Sequence, residues 1–197
     1  MKLNNSGPAI FMYIIIGLTL ITSIICFTLY YGGFTESRIV LFTGITAFTI
    51  MYHFWGRIIM GNVSKLFRKH INYKQWWFKE KKFEKKLYEI LKVKKWKRKA
   101  LTYNPEQFDL KQRTLNQVAD TMVKSELDHW INELISISTI FFGLIWGETW
   151  IFVLTAIAAM LFDGQFIVIQ RYNRPRVIKL LEKEDKKENK KQKERIV

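Results

Sequence analysis

The stretch that decides the fold is TWIFVLTAIAAMLFDGQFIVI at residues 149–169, which is followed directly by QRYNRPR at residues 170–176. The first part is predominantly apolar and has the length of about 20 residues that a helix needs to cross the ~30 Å hydrocarbon core of a bilayer. The second part places three arginines where such a helix leaves the membrane. Together they predict a membrane-spanning helix with anion-binding side chains at the membrane surface.

The rest of the composition fits a membrane protein. Hydrophobic residues make up 49% of the chain, and they occur in dense blocks that lysine-rich stretches separate. A net charge of +15 is also common in nucleic-acid-binding proteins, but here the basic residues lie between and after the apolar blocks, where they can meet anionic headgroups. We therefore expect membrane lipids as partners and no nucleic acid. Cys26 is the single cysteine, so internal disulfide and paired-cysteine metal chemistry are excluded.

Four apolar blocks predict an all-α membrane protein with four transmembrane helices in two hairpins. The blocks are residues 9–31, which are too long for a signal-peptide core, and residues 39–60, 131–146 and 149–169. The predicted divisions are an N-terminal hairpin at 1–61, a basic amphipathic region at 62–124, a C-terminal hairpin at 125–181, and a charged tail at 182–197 that is a solvated helix or disordered.

The region 62–124 carries eighteen Lys or Arg residues against six Asp or Glu. Apolar residues at 76, 83, 87, 90 and 91 recur at helical spacing among lysines, which predicts an amphipathic helix in the headgroup plane. Four tryptophans are expected at the interface, where an indole ring is half in lipid and half in water: Trp76, Trp77, Trp96 and Trp130. With four crossings, Lys2, the basic region and the tail share one side, so both termini are expected to be cytoplasmic in a multi-pass protein of the cell membrane.

Glu126, His129 and Glu133 are spaced i, i+3, i+7, which places them on one face of a helix that descends into the third apolar block. An imidazole can exchange a proton near neutral pH, and a carboxylate one turn away can hold its tautomer. Glu126 and His129 are therefore candidate catalytic residues. The alternative is that His129 and Trp130 anchor the helix while Glu126 pairs with a lysine.

The segment 171–176 is a candidate substrate-binding site. Arginine presents a planar fork that suits phosphate or carboxylate, and the chain otherwise prefers lysine. Pro175 and Asn173 predict a bend that fixes the directions of the arginines. The alternative is simple anchoring on the inner face. The residues assigned to this site are Arg171, Tyr172, Asn173, Arg174 and Arg176.

His53, Arg57 and Asp163 are ionisable residues inside predicted spans, where such groups are costly and usually functional. With Glu133 they are expected to line a polar pocket that binds substrate. Alternatively, Asp163 neutralises Arg57 or His53 and holds the two hairpins together. No metal is expected, because the spacing of His53, His70 and His129 matches no zinc-ligand pattern.

Three strings carry a resemblance to a known family: KWK at 95–97, ELDHW at 126–130 and IQRYNRPR at 169–176. Over residues 76–181 the chain resembles the glycosyl-4,4'-diaponeurosporenoate acyltransferase family of bacterial membrane proteins. The resemblance implies fatty acyl transfer onto a sugar hydroxyl, as in carotenoid biosynthesis, with His129 and the arginine segment at matching positions.

From the residues and the resemblance together we expect an integral membrane O-acyltransferase that acts on a glycolipid or a glycosylated isoprenoid at the cytoplasmic leaflet. His129, oriented by Glu126, serves as general base, and the arginines bind the anionic part of the acyl donor. The donor is coenzyme A, an acyl carrier protein or a phospholipid, with no tightly bound cofactor.

Two other classes stay open from the sequence. One is a non-catalytic membrane protein that binds anionic lipids or a partner helix through its basic region. The other is a small lipid transporter component, in which His53 and Asp163 matter more than His129. The oligomeric state is not indicated by the sequence.

Overall fold

The computed structural model describes residues 7–67, 70–100 and 105–196. All regular secondary structure in these residues is helical. Lys2, on which the predicted orientation partly rests, lies outside the described residues. The α-helices are α1 (Gly7–Tyr31), α2 (Arg38–Phe67), α3 (Glu84–Ile90), α4 (Val93–Trp96), α5 (Leu115–Ser138), α6 (Gly143–Trp146) and α7 (Thr149–Ile196); 3₁₀-helices are Trp76–Phe78, Pro105–Phe108 and Thr139–Phe142.

Three of the described helices are long and apolar enough to cross a membrane: Ile10–Tyr31, Arg38–Ser64 and the helix that begins at Thr149. The predicted third block, 131–146, is not one of them. It contains Asn132 and Glu133, and α5 ends at Ser138, after which the chain continues as two short helices. Gly147 forms a tight turn after α6: its φ of 73° is left-handed, and its N–H donates to the carbonyl of Gly143.

The chain divides into two compact units that are discontinuous in sequence. Unit 1 contains residues 1–64 and 130–163, and unit 2 contains residues 65–129 and 164–197. Both α5 and α7 therefore contribute one end to each unit.

Unit 1 has an apolar core formed by α1, α2 and α7. Leu41, Ile45, Ile151 and Phe152 are its buried residues. Five partly buried aromatic residues pack against them, and two of these, Phe142 and Trp146, form ring pairs with Phe152: Phe27, Tyr30, Phe42, Phe142 and Trp146. A side chain at Gly44 would lie 2.9 Å from Cβ of Cys26, so the missing Cβ allows α1 and α2 to approach closely.

The second contact of unit 1 joins α2 to the end of α5. The hydroxyls of Tyr52 and Ser138 are 3.0 Å apart, and a Cβ added at Gly56 would lie 2.9 Å from Cγ2 of Ile135. Because position 52 meets 138 and position 56 meets 135, the two helices run antiparallel here.

In unit 2, the amphipathic stretch expected to be one helix is three short ones. Lys92 adopts φ 50°, ψ 40°, a left-handed conformation that no helix can continue through, and it separates α3 from α4. Phe78, Tyr88 and Val93 face the interior. The apolar residues predicted to contact lipid are nevertheless all exposed: Trp76, Phe83, Leu87, Ile90 and Leu91.

The long helix α7 continues through the arginine segment and the tail. Pro175 lies inside it, where the proline ring removes one helical hydrogen bond without ending the helix. The described part of the tail is an exposed helix, the first of the two predicted alternatives. Leu181 and Val177 of α7 pack on Leu115 and Ala119 at the start of α5.

Candidate functional site

Glu126 of α5 is the centre of a charged network in unit 2. Its side chain is fully buried, at 0% exposure. One carboxylate oxygen accepts a hydrogen bond of 2.6 Å from Nη1 of Arg171, and the other accepts one from Nη1 of Arg174. Arg171 and Arg174 are three positions apart on α7 and so share a face. The carboxylate therefore neutralises two guanidiniums at once.

Arg171 extends the network to α3. Its Nε donates to Oε1 of Glu84 at 2.9 Å, and Nη2 also pairs with that oxygen. Nη1 and Nη2 reach the backbone carbonyls of Trp77 and Lys79, both at 3.3 Å. The guanidinium thus fixes the segment 77–84 against α7.

Arg174 is deeply buried, with 2% of its side chain exposed. Its Nη2 donates to the carbonyl of Phe78 at 2.6 Å, and the guanidinium lies 5.4 Å from the centroid of the Phe78 ring. The ring covers the cation from solvent, which strengthens its ion pair with Glu126.

The second oxygen of Glu84 accepts a hydrogen bond of 2.7 Å from the hydroxyl of Tyr88. Burial raises the pKa of the Tyr88 hydroxyl well above its usual range, and the hydrogen bond to Glu84 raises it further. Two carboxylates and two guanidiniums balance in this network. Arg171 and Arg174 therefore have partners within the protein, which the sequence did not indicate.

Arg176 lies outside this network at an exposed position. It donates to the Tyr172 hydroxyl at 2.8 Å and covers the Tyr172 ring, with 4.6 Å to the centroid. Nζ of Lys97 is 4.6 Å from the same ring and donates to Oδ1 of Asn173 at 2.5 Å. Burial lowers the pKa of Lys97, and the charges of Arg176 and Arg98 lower it further. Two cations thus share one aromatic ring, and we call them the Tyr172 cation pair.

His129 follows Glu126 by one turn of α5. Its imidazole stacks on the ring of Phe166 of α7, with centroids 4.7 Å apart and planes inclined by 12°. The ring is half-buried and its plane is held by a neighbouring helix. His129 therefore lies in the same unit as the arginines and packs against protein.

A cleft of about 470 Å³ opens between the segment 73–80 and α7. Three lysines and two glutamates contribute to its wall, together with the buried Arg174. Its lining residues are Tyr73, Lys74, Phe78, Lys79, Glu80, Arg174, Pro175, Ile178, Lys179 and Glu182.

Unit 1 contains the other charged residues that the sequence singled out. Arg57 of α2 forms an ion pair with Oδ2 of Asp163, whose side chain is 1% exposed, and Asn132 donates to Oδ1 of the same carboxylate at 3.0 Å. The structural alternative, in which Asp163 neutralises Arg57, thus matches the contacts. Glu133 and His53 are buried in the same unit. Glu133 is therefore assigned to unit 1, whereas Glu126 and His129 belong to unit 2.

The model of the glycosyl-4,4'-diaponeurosporenoate acyltransferase family matches residues 74–183. The chain belongs to this family. No curated protein and no solved structure matches it.

The segment shared with the acyltransferase family contains most of the residues described above. Glu84, the α5 face and the arginines of α7 fall inside it, whereas His53 and Arg57 fall outside. The resemblance predicted from three short strings over residues 76–181 is confirmed, with bounds that differ by two residues at each end. Membership supports an acyltransferase activity related to carotenoid biosynthesis.

Sequence reasoning missed three residues that contact the predicted site residues: Glu84, Phe78 and Asn132. Lys97, which donates to Asn173, entered it only as part of the KWK string. Glu84 is an acid within a run of lysines, and this contrast was the one available signal. Among the predicted interfacial tryptophans, Trp76 is 69% exposed, and Trp77 and Trp130 are exposed as well. Trp96 instead donates its indole N–H to the carbonyl of Leu91 at 2.8 Å.

Proposed function

We propose that this protein is a membrane O-acyltransferase that moves a fatty acyl chain onto a hydroxyl of a glycolipid or glycosylated isoprenoid at the cytoplasmic leaflet. The proposal rests on one observation. The segment that matches the family model also contains the Glu126 network, in which two carboxylates pair with two guanidiniums. Three helices long and apolar enough to span a membrane support a lipid substrate.

The proposed base is His129. Its imidazole takes the proton of the acceptor hydroxyl, whose oxygen attacks the acyl carbonyl carbon, and fixed donors stabilise the oxyanion that forms. The bond from the carbonyl carbon to the donor's sulfur or oxygen then breaks, and the leaving group takes the proton back from the imidazolium. The stacking of His129 on Phe166 supports this role, because a base must be held in one orientation.

We assign Arg171 and Arg174 a positioning role in place of the donor-binding role that the sequence predicts. Their guanidiniums are already paired with Glu126 and Glu84, and only 2% of the Arg174 side chain is exposed where it lines the cleft. They hold α3, α5 and α7 together and so fix the turn of α5 on which His129 lies.

Unit 2 has two other cationic surfaces to which the anionic part of the donor can bind. The exposed Arg176 belongs to the Tyr172 cation pair, and Lys74, Lys79 and Lys179 line the cleft. No ion pair with a described residue engages these three lysines. We propose that they bind the phosphates of coenzyme A, of a carrier-bound phosphopantetheine or of a phospholipid.

We also propose a fourth membrane segment at residues 131–146, with both termini on the cytoplasmic side. The end of α5 lies along the membrane-spanning α2 at positions 52 and 56. Beyond it, Phe141, Leu144 and Ile145 are exposed apolar residues, as expected of side chains that face lipid.

The test is acyl transfer by purified protein in lipid nanodiscs, followed by lipid mass spectrometry. We expect His129→Ala to lower kcat by about 10²- to 10⁴-fold, the usual contribution of a general base, with KM for the donor unchanged. His70→Ala is the matched control, because His70 is exposed and lies outside the family segment. A folded His129→Ala protein with normal turnover would remove His129 from the mechanism.

The non-catalytic alternative is favoured by one observation, the exposed Trp76, Phe83 and Ile90 next to the lysines of α3 and α4. This surface suits binding to anionic lipid. The two functions are separable, since a lipid-binding protein shows no acylated product with any donor, and its membrane affinity does not depend on His129.

A further inference from the structure

The cleft between the segment 73–80 and α7 carries charges of both signs on its walls. Its lysines are Lys74, Lys79 and Lys179, and its glutamates are Glu80 and Glu182. All five residues are exposed, and no ion pair joins any of them to a described residue. Opposite charges that surround one cavity without pairing with one another are available to a ligand that carries both signs.

The wall formed by the segment 73–80 is fixed within unit 2. The hydroxyl of Tyr73 donates to Oδ1 of Asn116 at 2.9 Å, and the carbonyl of Phe78 accepts from Arg174 at 2.6 Å. The cavity volume of about 470 Å³ lies in the range of about 300–1,000 Å³ that is usual for small-molecule sites. The cleft is therefore preformed, and a ligand does not need to order its walls.

The charge balance of the cleft favours a zwitterion over a polyanion. Arg174 also lines the cleft, but its charge is neutralised by Glu126, so three lysines and two glutamates remain. The phosphates of coenzyme A would meet repulsion from both glutamates, and such like-charge contacts select against a ligand. A single phosphodiester joined to an ammonium group satisfies both sets of side chains.

The glutamates also select the kind of ammonium group. A primary ammonium has three N–H donors that carboxylates can accept, whereas a quaternary ammonium has none and is recognised by aromatic cages. The cleft has two aromatic rings, those of Tyr73 and Phe78, and the guanidinium of Arg174 already lies 5.4 Å from the centroid of Phe78. The lining therefore favours a primary ammonium.

Two indole rings on the same wall indicate that this zwitterion belongs to a lipid. Trp76 and Trp77 are 69% and 47% exposed and lie within the segment 73–80. Tryptophan is enriched at the membrane–water interface, at the level of the headgroups. A cleft whose wall carries two such rings is suited to a headgroup.

We propose that this cleft binds the headgroup of a phospholipid with a primary ammonium, of which phosphatidylethanolamine is the simplest example. The lysines bind the phosphodiester, and the glutamates bind the ammonium. His129 belongs to the same unit as the cleft.

The role of this lipid as the acyl donor rests on the proposed function. The acceptor oxygen then forms the new ester bond to the acyl carbonyl carbon, and the bond from that carbon to the glycerol oxygen breaks. The proton of the acceptor hydroxyl ends on the glycerol oxygen, so lysophosphatidylethanolamine leaves.

The experiment is a calorimetric titration of the full chain in detergent micelles with three short-chain lipids, the dihexanoyl forms of phosphatidylethanolamine, phosphatidylcholine and phosphatidylglycerol. We expect the wild type to bind the ethanolamine lipid about tenfold more tightly than either of the others, the usual effect of one added hydrogen bond to a charged group. The choline lipid lacks the N–H donors, and the glycerol lipid lacks the cation.

The double variant Glu80→Gln with Glu182→Gln removes both carboxylates and keeps the size of the side chains. Its affinity for the ethanolamine lipid falls about tenfold, whereas its affinity for phosphatidylglycerol rises, because the repulsion of an anion is gone. The matched control is Lys187→Gln with Glu188→Gln, since both residues are exposed on the same helix outside the cleft. It binds all three lipids as the wild type does.

Two results of the titration would overturn the proposal. One is a wild type that binds phosphatidylglycerol as tightly as phosphatidylethanolamine. The other is a glutamate double variant that keeps the preference of the wild type, because the lipids then only partition into the micelle.

Transfer assays in nanodiscs separate this proposal from the proposed function. We expect phosphatidylethanolamine labelled in its acyl chain to yield one lysophosphatidylethanolamine for each acylated acceptor, and transfer from an acyl thioester alone would overturn the donor role. Transfer by a protein that shows no preference among the three lipids removes only the cleft proposal. Selective binding by a protein in which His129→Ala has normal turnover removes only the proposed base.

Discussion

Glu126 and Arg174 form an ion pair from which water is excluded on both sides, with 0% and 2% of their side chains exposed. A pair of this kind contributes little when it forms, because both ions lose their hydration, but the loss of one partner leaves a buried charge uncompensated. The pair joins α5 to α7, and His129, one turn from Glu126 on α5, stacks on Phe166 of α7. Its structural role can therefore be measured apart from catalysis.

Glu126→Gln is expected to lower the free energy of unfolding by about 3–5 kcal/mol, because Arg171 and Arg174 then share one neutral amide. Thermal unfolding in detergent micelles, followed by helical circular dichroism, measures the change. Glu106→Gln is the control at an exposed position of the same unit. If Glu126→Gln unfolds like the wild type but has lost transfer, Glu126 acts on the chemistry and the positioning role is wrong.

Tyr88→Phe is expected to destabilise the protein by about 1.5–3 kcal/mol, the contribution of a hydrogen bond to a charged group. The pKa of Tyr88 is raised in the folded state, so this contribution is fully present below the unfolded pKa of about 10 and is lost as pH rises toward the folded pKa. Unfolding measured from pH 8 upward checks it. The difference between wild type and Tyr88→Phe should shrink above pH ~10, whereas Tyr13→Phe at an exposed position of α1 should give no such difference.

Local sequence patterns correctly predicted structure that depends only on residues close together in the sequence. The uncharged run of α1 needed no knowledge of distant residues, and it was found as expected. The prediction of one amphipathic helix over this stretch was wrong. The helical spacing at 76–91 does not reveal that Lys92 leaves the helix, or that Phe78 turns inward and covers Arg174.

The role of the arginines could not be predicted for a different reason. Arg171 meets Glu84 across 87 positions of the sequence and Glu126 across 45. A preference for arginine over lysine indicates a bidentate partner, but it does not say whether that partner is a ligand or a carboxylate of the protein. Only the fold decides between the two.

Gly56→Ala is expected to destabilise the protein by about 1–3 kcal/mol, the usual cost of overpacking, because the new Cβ would lie 2.9 Å from Cγ2 of Ile135. Gly61→Ala is the matched control on the same helix: nothing lies within 4 Å of its added Cβ, so helix propensity favours it by up to about 1 kcal/mol. Adding Ile135→Ala to Gly56→Ala should restore part of the loss. Unfolding temperatures of the wild type and these three variants in one detergent test whether α2 and the end of α5 pack as described, and a neutral Gly56→Ala would contradict that contact.

Asp163→Asn leaves the guanidinium of Arg57 without its counterion inside unit 1, since Asn132 supplies only an amide. We expect a loss of about 3–5 kcal/mol in the free energy of unfolding. The double variant Arg57→Met with Asp163→Leu should regain most of that stability, because well-packed apolar residues often replace a buried ion pair without loss. Asp185→Asn in the exposed part of α7 is the control.

Transfer assays on the stable double variant then separate two roles. Full activity means that the pair only holds α2 and α7 together, whereas a stable protein with a raised KM for the acceptor places Arg57 among the groups that contact it.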